Sequence, residues 1–161
     1  MADSPQQRAY AAAASVVDPE IPVLTIADLG ILREVHVQDD EVEAVITPTY
    51  SGCPAMPVIA QEIEAALRKA GFCKIRVKTV LTPAWTTAWL GEDARRKLRE
   101  YGIAPPLPQH TCPLAHDPRP VACPHCGSDQ TERLSEFGAT PCKSLWRCRN
   151  CAEPFEHFKC H

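Results

Sequence analysis

Thr47-Pro-Thr-Tyr-Ser-Gly-Cys-Pro-Ala-Met-Pro-Val58 carries the chain from a strand-like run, through a loop of small residues, into a helix. The chain up to Gly102 reads as support for that loop. The spacing predicts a helix starting right after Cys53, with Cys53 as N-cap and Pro54 at the first helical position, where its missing N–H costs nothing. A thiol there would meet unpaired N–H groups and the positive end of the helix dipole, which favour thiolate and lower the pKa. Cys53 is therefore a candidate reactive or transiently ligating thiolate. The competing reading is a buried, inert cysteine, since cysteine is among the most often buried residues.

Upstream, Ser4-Pro-Gln-Gln7 has the pattern of a capping box and predicts a helix to about Val17. Asp18-Pro19 ends it, and Glu20-Ile-Pro22 reads as extended because a residue before proline avoids helical angles. Thr25-Ile-Ala-Asp28 repeats the cap pattern before Gly30. The alternating apolar residues of Ile31–Val37 and Glu41–Thr47, flanking Gln38-Asp-Asp40, predict a β-hairpin. Downstream of Cys53, Met56, Ile59, Ala60, Ile63, Leu67 and Ala70 recur at helical spacing up to Gly71. Lys74–Leu81 alternates as a third strand, and a further amphipathic helix after Pro83 carries Leu90, Ala94, Leu98 and Tyr101 to Gly102. The expected fold class is α/β: a small layered domain (helix, hairpin, helix, strand, helix) over residues 1–104, followed by a zinc-ribbon-like module. Proline-rich residues 105–120 form the expected stiff linker and residues 121–161 the module.

That module holds the most specific signal in the 161 residues. Seven of the nine cysteines crowd the C-terminal third, from Cys112 to Cys160. Cys123-Pro-His-Cys126 and Cys148-Arg-Asn-Cys151 are two C-x-x-C knuckles, each able to aim two thiolates at one ion; together they complete a tetrahedral four-sulfur shell. Thr131–Leu134, Leu145–Trp146 and Pro154–Phe158 read as the short strands of a ribbon. A segment of about 40 residues rarely folds without such a staple, so metal binding and folding are expected to be coupled. Structural zinc on Cys123, Cys126, Cys148 and Cys151 is the leading assignment, with an iron-sulfur cluster in the module as the alternative, because Cys142, Cys160, His125, His157 and His161 are surplus ligands.

The net charge of −3 offers nucleic acid no general attraction, and Arg95, Arg96, Lys97 and Arg99 read as a solvated helix face. No run approaches the roughly 20 apolar residues of a membrane span, and MADSPQQR lacks the basic start and apolar core of a secretory signal. The expected location is cytoplasmic, where paired cysteines are better explained by metal or redox chemistry than by structural disulfides.

With these pieces placed, the chain resembles the D-component family of bacterial phenylacetate degradation, the accessory proteins that accompany the multicomponent phenylacetyl-CoA epoxidase. The N-terminal part is similar to the small α/β family of SufT-type proteins and the eukaryotic cytosolic iron-sulfur assembly factor, through Asp18-Pro-Glu-Ile-Pro22, Asp28-Leu-Gly30 and Thr47–Pro54 with Cys53. The C-terminal part carries the D-component tail: Phe137-Gly-Ala-Thr-Pro-Cys142-Lys, Cys148-Arg-Asn-Cys151, Glu153-Pro-Phe and Phe158-Lys-Cys160-His161. The resemblance implies a maturation role for the di-iron or iron-sulfur centre of the oxygenase system, with the oxygenase or reductase components and the iron-sulfur assembly machinery as partners. Cys53 would then hold iron or a cluster transiently, with Asp18, Glu20 and Asp28 as possible oxygen ligands and Cys142, Cys160 and His161 as possible accessory groups. The same carboxylates also read simply as turn and cap residues. The chain is not expected to be a catalyst by itself, because it has neither a Glu-x-x-His pair for a di-iron centre nor a dinucleotide fingerprint. The remaining class is a protein-protein adaptor that presents Trp85, Trp89 and the ribbon. Cys112 and His116 receive no role.

Overall fold

Ser4 opens the first helix, α1 (Pro5–Ala14): its side chain accepts from the Gln7 N–H, and the Gln7 side chain accepts the Ser4 N–H in return. The structure is a computed structural model and describes residues 3–107 and 119–160. The chain divides into two compact units, Met1–Trp85 and Thr86–His161.

In the first unit α1 stops at Ala14, short of the expected Val17. Val17 instead bridges Thr25 in extended geometry, and Asp18 turns the chain by accepting from the Glu20 and Ile21 N–H groups at 2.7 and 2.9 Å. That Asx turn replaces the extended segment expected over Glu20–Pro22. Thr25 and Asp28 cap one another reciprocally, each side chain accepting the other's backbone N–H at 3.0 Å. Gly30 follows at φ 74°, a left-handed angle that glycine adopts without a Cβ penalty. Strands β1 (Leu32–Gln38) and β2 (Glu41–Ile46) form the expected antiparallel hairpin. Helix α2 (Met56–Lys69) then crosses over to β3 (Lys74–Thr79), which pairs parallel to β2. A crossover is what parallel neighbours require, and α2 provides it.

The sheet order β1-β2-β3 places Val35, Val42, Ala44 and Ile46 in the core, together with Ile59, Ile63 and Leu67 of α2 and Ala9 and Ala13 of α1. Burying each large aliphatic side chain contributes about 1.5–3 kcal/mol. Trp85 is also buried and donates its indole N–H to the Leu29 carbonyl at 2.8 Å, which withdraws it from the contact surface that an adaptor reading needs.

The second unit begins with a 3₁₀ turn (Thr87–Trp89) and α3 (Glu92–Tyr101). Leu90 precedes α3 rather than belonging to it, and Tyr101 is exposed, so the helix buries only Ala94 and Leu98. Gly102 closes α3 at φ 92°. Strand β4 (Ile103–Ala104) then pairs parallel with β7 (Pro154–Phe158), in a sheet ordered β4-β7-β6-β5 with β5 (Thr131–Ser135) and β6 (Lys143–Cys148). This pairing moves the division of the chain from the expected residue 104 back to Trp85, so α3 and β4 belong with the ribbon. The physical reason is that β4 finds its ladder hydrogen bonds on β7.

Candidate metal centre and the Cys53 loop

The two knuckles have the same local build. In the first, the Cys123 N–H donates to the Ser128 carbonyl at 2.8 Å, the Gly127 N–H donates to the Cys123 carbonyl at 2.8 Å, and Gly127 takes φ 77°. In the second, the Cys148 N–H donates to the Glu153 carbonyl at 3.0 Å, and Ala152, the counterpart of Gly127, takes φ 65°. A non-glycine residue in that region costs about 1 kcal/mol, held here by the surrounding turn.

Backbone N–H groups converge on the sulfurs, His125 on Cys123 at 3.4 Å and Cys151 on Cys148 at 3.5 Å, and the Asn150 amide donates to the Cys126 sulfur at 3.7 Å. The four ligand atoms lie within 4.8 Å of one another. The Cys123–Cys151 and Cys126–Cys148 sulfur separations are 3.8 and 3.6 Å. Four sulfurs at about 2.3 Å from one tetrahedral ion would stand about 3.8 Å apart, so the donor set fits a metal. Cys123 and Cys148 are buried against Val121, Trp146, Phe155 and Ala104, while Cys126 faces outward.

The electrostatics of the set point the same way. The Ser128 backbone N–H leads the groups that pull Cys126 down to about 6, helped by Asn150. At Cys151 the Glu153 N–H favours thiolate, but desolvation and the thiols of Cys148, Cys126 and Cys123 outweigh it and push the group up to about 12. Four sulfurs this close do not all ionise together unless a cation joins them.

Of the surplus ligands expected around this centre, none among the described residues joins it. Cys142 is buried with its sulfur 3.0 Å from the Thr140 hydroxyl, and Cys160 is disulfide-bonded. His157 is buried on β7, and its Nε2 has no hydrogen-bond partner among the described residues. His161, like Cys112 and His116, lies outside the described residues.

Cys53 occupies the loop between β2 and α2. Its N–H donates to the Tyr50 carbonyl and its carbonyl accepts from Met56, both at 3.3 Å. The preceding Gly52 is at φ 78°, and nothing among the described residues lies within 4 Å of where a Cβ would stand, so conformation rather than space requires glycine there. The loop departs from expectation in two linked ways. Ala55, not Cys53, is the N-cap of α2, and Pro57 rather than Pro54 lies in its first turn. The thiol thus stands ahead of the helix end. Burial pushes the Cys53 thiol up, and the Glu20 and Asp18 carboxylates add to this, against opposing bonds from the Ala55 N–H and the Tyr50 side chain. The expected lowering is reversed.

The structure therefore brings Asp18 and Glu20 electrostatically to bear on Cys53, while Asp28 caps Thr25. What the sequence missed was the sign of that influence. The two carboxylates flanking Pro19 were its only signal.

Residues 6–80 match the family described as iron-sulfur cluster assembly protein, and residues 108–159 match the PaaD zinc beta ribbon domain. The chain is 50% identical over 151 residues to the D subunit of the putative 1,2-phenylacetyl-CoA epoxidase of Escherichia coli (strain K12), covering 94% of this chain and 90% of that one. The chain belongs to the PaaD family. It is also 33% identical over 88 residues to the Bacillus subtilis Fe-S protein maturation auxiliary factor YitW, covering 53% of this chain and 85% of that protein. Among solved structures, a domain of unknown function, DUF59, from Bacillus anthracis matches with a TM-score of 0.54 at 25% identity, covering 58% of this chain and 91% of that one. A conserved hypothetical protein from Thermotoga maritima matches at 0.51 and 25%, covering 61% and 98%. A PaaD-family chain thus joins an assembly-type α/β unit to a four-cysteine ribbon. Among the described residues no helix is long and apolar enough to cross a membrane.

Proposed function

We propose that this PaaD-family chain is a cytoplasmic maturation factor for the multicomponent phenylacetyl-CoA epoxidase, helping to assemble the iron-sulfur or di-iron centre of its components. The observation that carries the reading is the 50% identity, along almost the full length of both chains, to the D subunit of such an epoxidase. The division of labour between the two thiol sites supports it. The ribbon set is closed, with four sulfurs and no room in a tetrahedral shell for a substrate ligand, and is assigned structural zinc. Cys53 is half-buried and single, with Asp18 and Glu20 close enough to act on it, and is assigned the transient contact with iron or cluster. A soft thiolate beside hard carboxylates suits iron in passage better than permanent storage.

The test uses oxygenase and reductase components produced with the wild-type chain, with Cys53→Ser, or without either, and measures their iron and acid-labile sulfide as well as epoxidation. Wild type should give fully loaded, active components. Cys53→Ser should keep the ribbon metal, read by elemental analysis at about one equivalent per chain, and fail to load its client. Components that are equally loaded in all three preparations would overturn the maturation role. Normal loading by Cys53→Ser alone would remove Cys53 from the mechanism.

A further inference from the structure

On α3 the basic residues that read as one solvated cluster divide into two sets. Arg96 is neutralised by Asp93 and Glu100, and Lys97 by Asp93. Arg95 and Arg99 instead line a cavity of about 680 Å³ within the second unit. The Arg95 guanidinium donates to the carbonyls of Pro106 and Thr87, and no carboxylate among the described residues pairs with it. The Arg99 side chain makes no hydrogen bond or ion pair among the described residues, so its whole fork of donors is available. Glu92 is the one carboxylate among the described lining residues, which leaves the wall with a surplus of one positive charge. Leu90, Pro106 and Val121 are buried side chains that give the cavity an apolar floor.

We infer that this cavity is a binding site for a small organic carboxylate, its anionic end held by the Arg99 fork beside Arg95 and its apolar body laid against Leu90, Pro106 and Val121. The size falls in the range of about 300–1,000 Å³ typical of small-molecule sites, which are mostly apolar with a few placed polar groups. A free guanidinium fork matches a carboxylate in two parallel hydrogen bonds. A monoanion fits better than a phosphate dianion, because Glu92 offsets one of the two arginines and would repel a second negative charge.

The probe is 2-naphthoate, titrated into the full-length, metal-loaded chain and followed by calorimetry and by chemical-shift changes at the Arg99 Nε–H. Saturable binding near about 1 mM is expected for a ligand of this size. The neutral 2-naphthamide and the dianionic naphthyl phosphate should bind at least about tenfold more weakly. Arg99→Gln should weaken 2-naphthoate at least about tenfold, Arg99→Lys less so because it keeps the charge and loses the fork, and Arg96→Gln should leave it unchanged. Arg99 is exposed and its side chain has no partner among the described residues, so the folded state survives its replacement, and an unchanged melting temperature verifies this. Absence of saturable binding below about 10 mM, equal binding of the amide or tighter binding of the phosphate, or indifference to Arg99→Gln would each overturn the assignment.

Discussion

His157 sets a pH limit on the second unit. Its ring stands edge-on to Trp146, with centroids 6.1 Å apart at 88°, and its buried Nε2 has no hydrogen-bond partner among the described residues. Desolvation, with a smaller contribution from the Lys159 charge, holds its pKa down to about 4 against 6.5 for an unburied imidazole. The folded chain therefore keeps His157 neutral where the unfolded chain binds a proton. A depressed histidine contributes its stability fully above about pH 6.5 and loses it as pH falls toward about 4, below which both states are charged. The whole window corresponds to about 3 kcal/mol, and the step from about pH 7 to about pH 5 to about 2 kcal/mol. Urea unfolding of the full chain in excess zinc, at those two pH values, measures it. Thiolate protonation adds its own acid sensitivity, so the test is the difference between wild type and His157→Leu, which removes the titration and the unpaired nitrogen together. At about pH 7 the variant should be as stable as wild type or slightly more so, since an unpartnered buried polar atom is lost. Toward about pH 5 wild type should lose about 2 kcal/mol more than the variant. Equal losses, within about 0.5 kcal/mol, would show that the imidazole is already charged or hydrated in the folded state.

A Cβ at Gly138 would displace the Glu156 carboxylate, which accepts from the Ala139 N–H and pairs with the buried Lys143 at 3.3 Å, so a side chain there is made room for at the expense of those bonds. Gly138→Ala should cost about 1–3 kcal/mol, seen as a lower urea midpoint with unchanged slope. Because burial and carboxylates raise the Cys53 pKa, alkylation of Cys53 should be slower at neutral pH than that of a free small-molecule thiol and should accelerate above about pH 9; fast alkylation at neutral pH would contradict the local field. Residues 1–85 expressed alone should unfold cooperatively, whereas residues 1–104 should gain nothing in stability from the added α3 and β4, whose partner β7 is then missing.

The legible parts of this fold are those decided by neighbours in sequence. The Ser4–Gln7 box, the reciprocal Thr25–Asp28 cap, the hairpin and the two C-x-x-C knuckles each involve groups a few residues apart, so spacing alone specifies them. The misplaced parts depend on distant groups. Two residues, Ile103-Ala104, carry no periodicity to read, and only β7 makes them a strand. The start of α2 slipped from Pro54 to Met56 because Cys53-Pro-Ala closes as a turn, with the Cys53 carbonyl accepting from Met56. That two-residue shift leaves the thiol with the Ala55 N–H as its backbone donor, and burial, joined by the Glu20 and Asp18 carboxylates, outweighs it.

The same element thus appears in two opposite settings. At the knuckles, N–H groups from His125, Cys151 and the Asn150 side chain meet sulfur, so the protein itself offsets part of the thiolate charge and the set is suited to keep an ion. At Cys53 the nearby charges are negative and oppose ionisation. The carboxylates that add to burial in holding the thiol protonated are also the groups that would attract a cation, and an arriving cation reverses their effect on the sulfur by neutralising them. Under the proposed function, a site of this kind ionises on arrival of iron and reprotonates on its departure. On release the iron–sulfur bond would break and the single sulfur take up a proton from solvent, whereas a four-thiolate shell has four such bonds to break and four sulfurs to protonate.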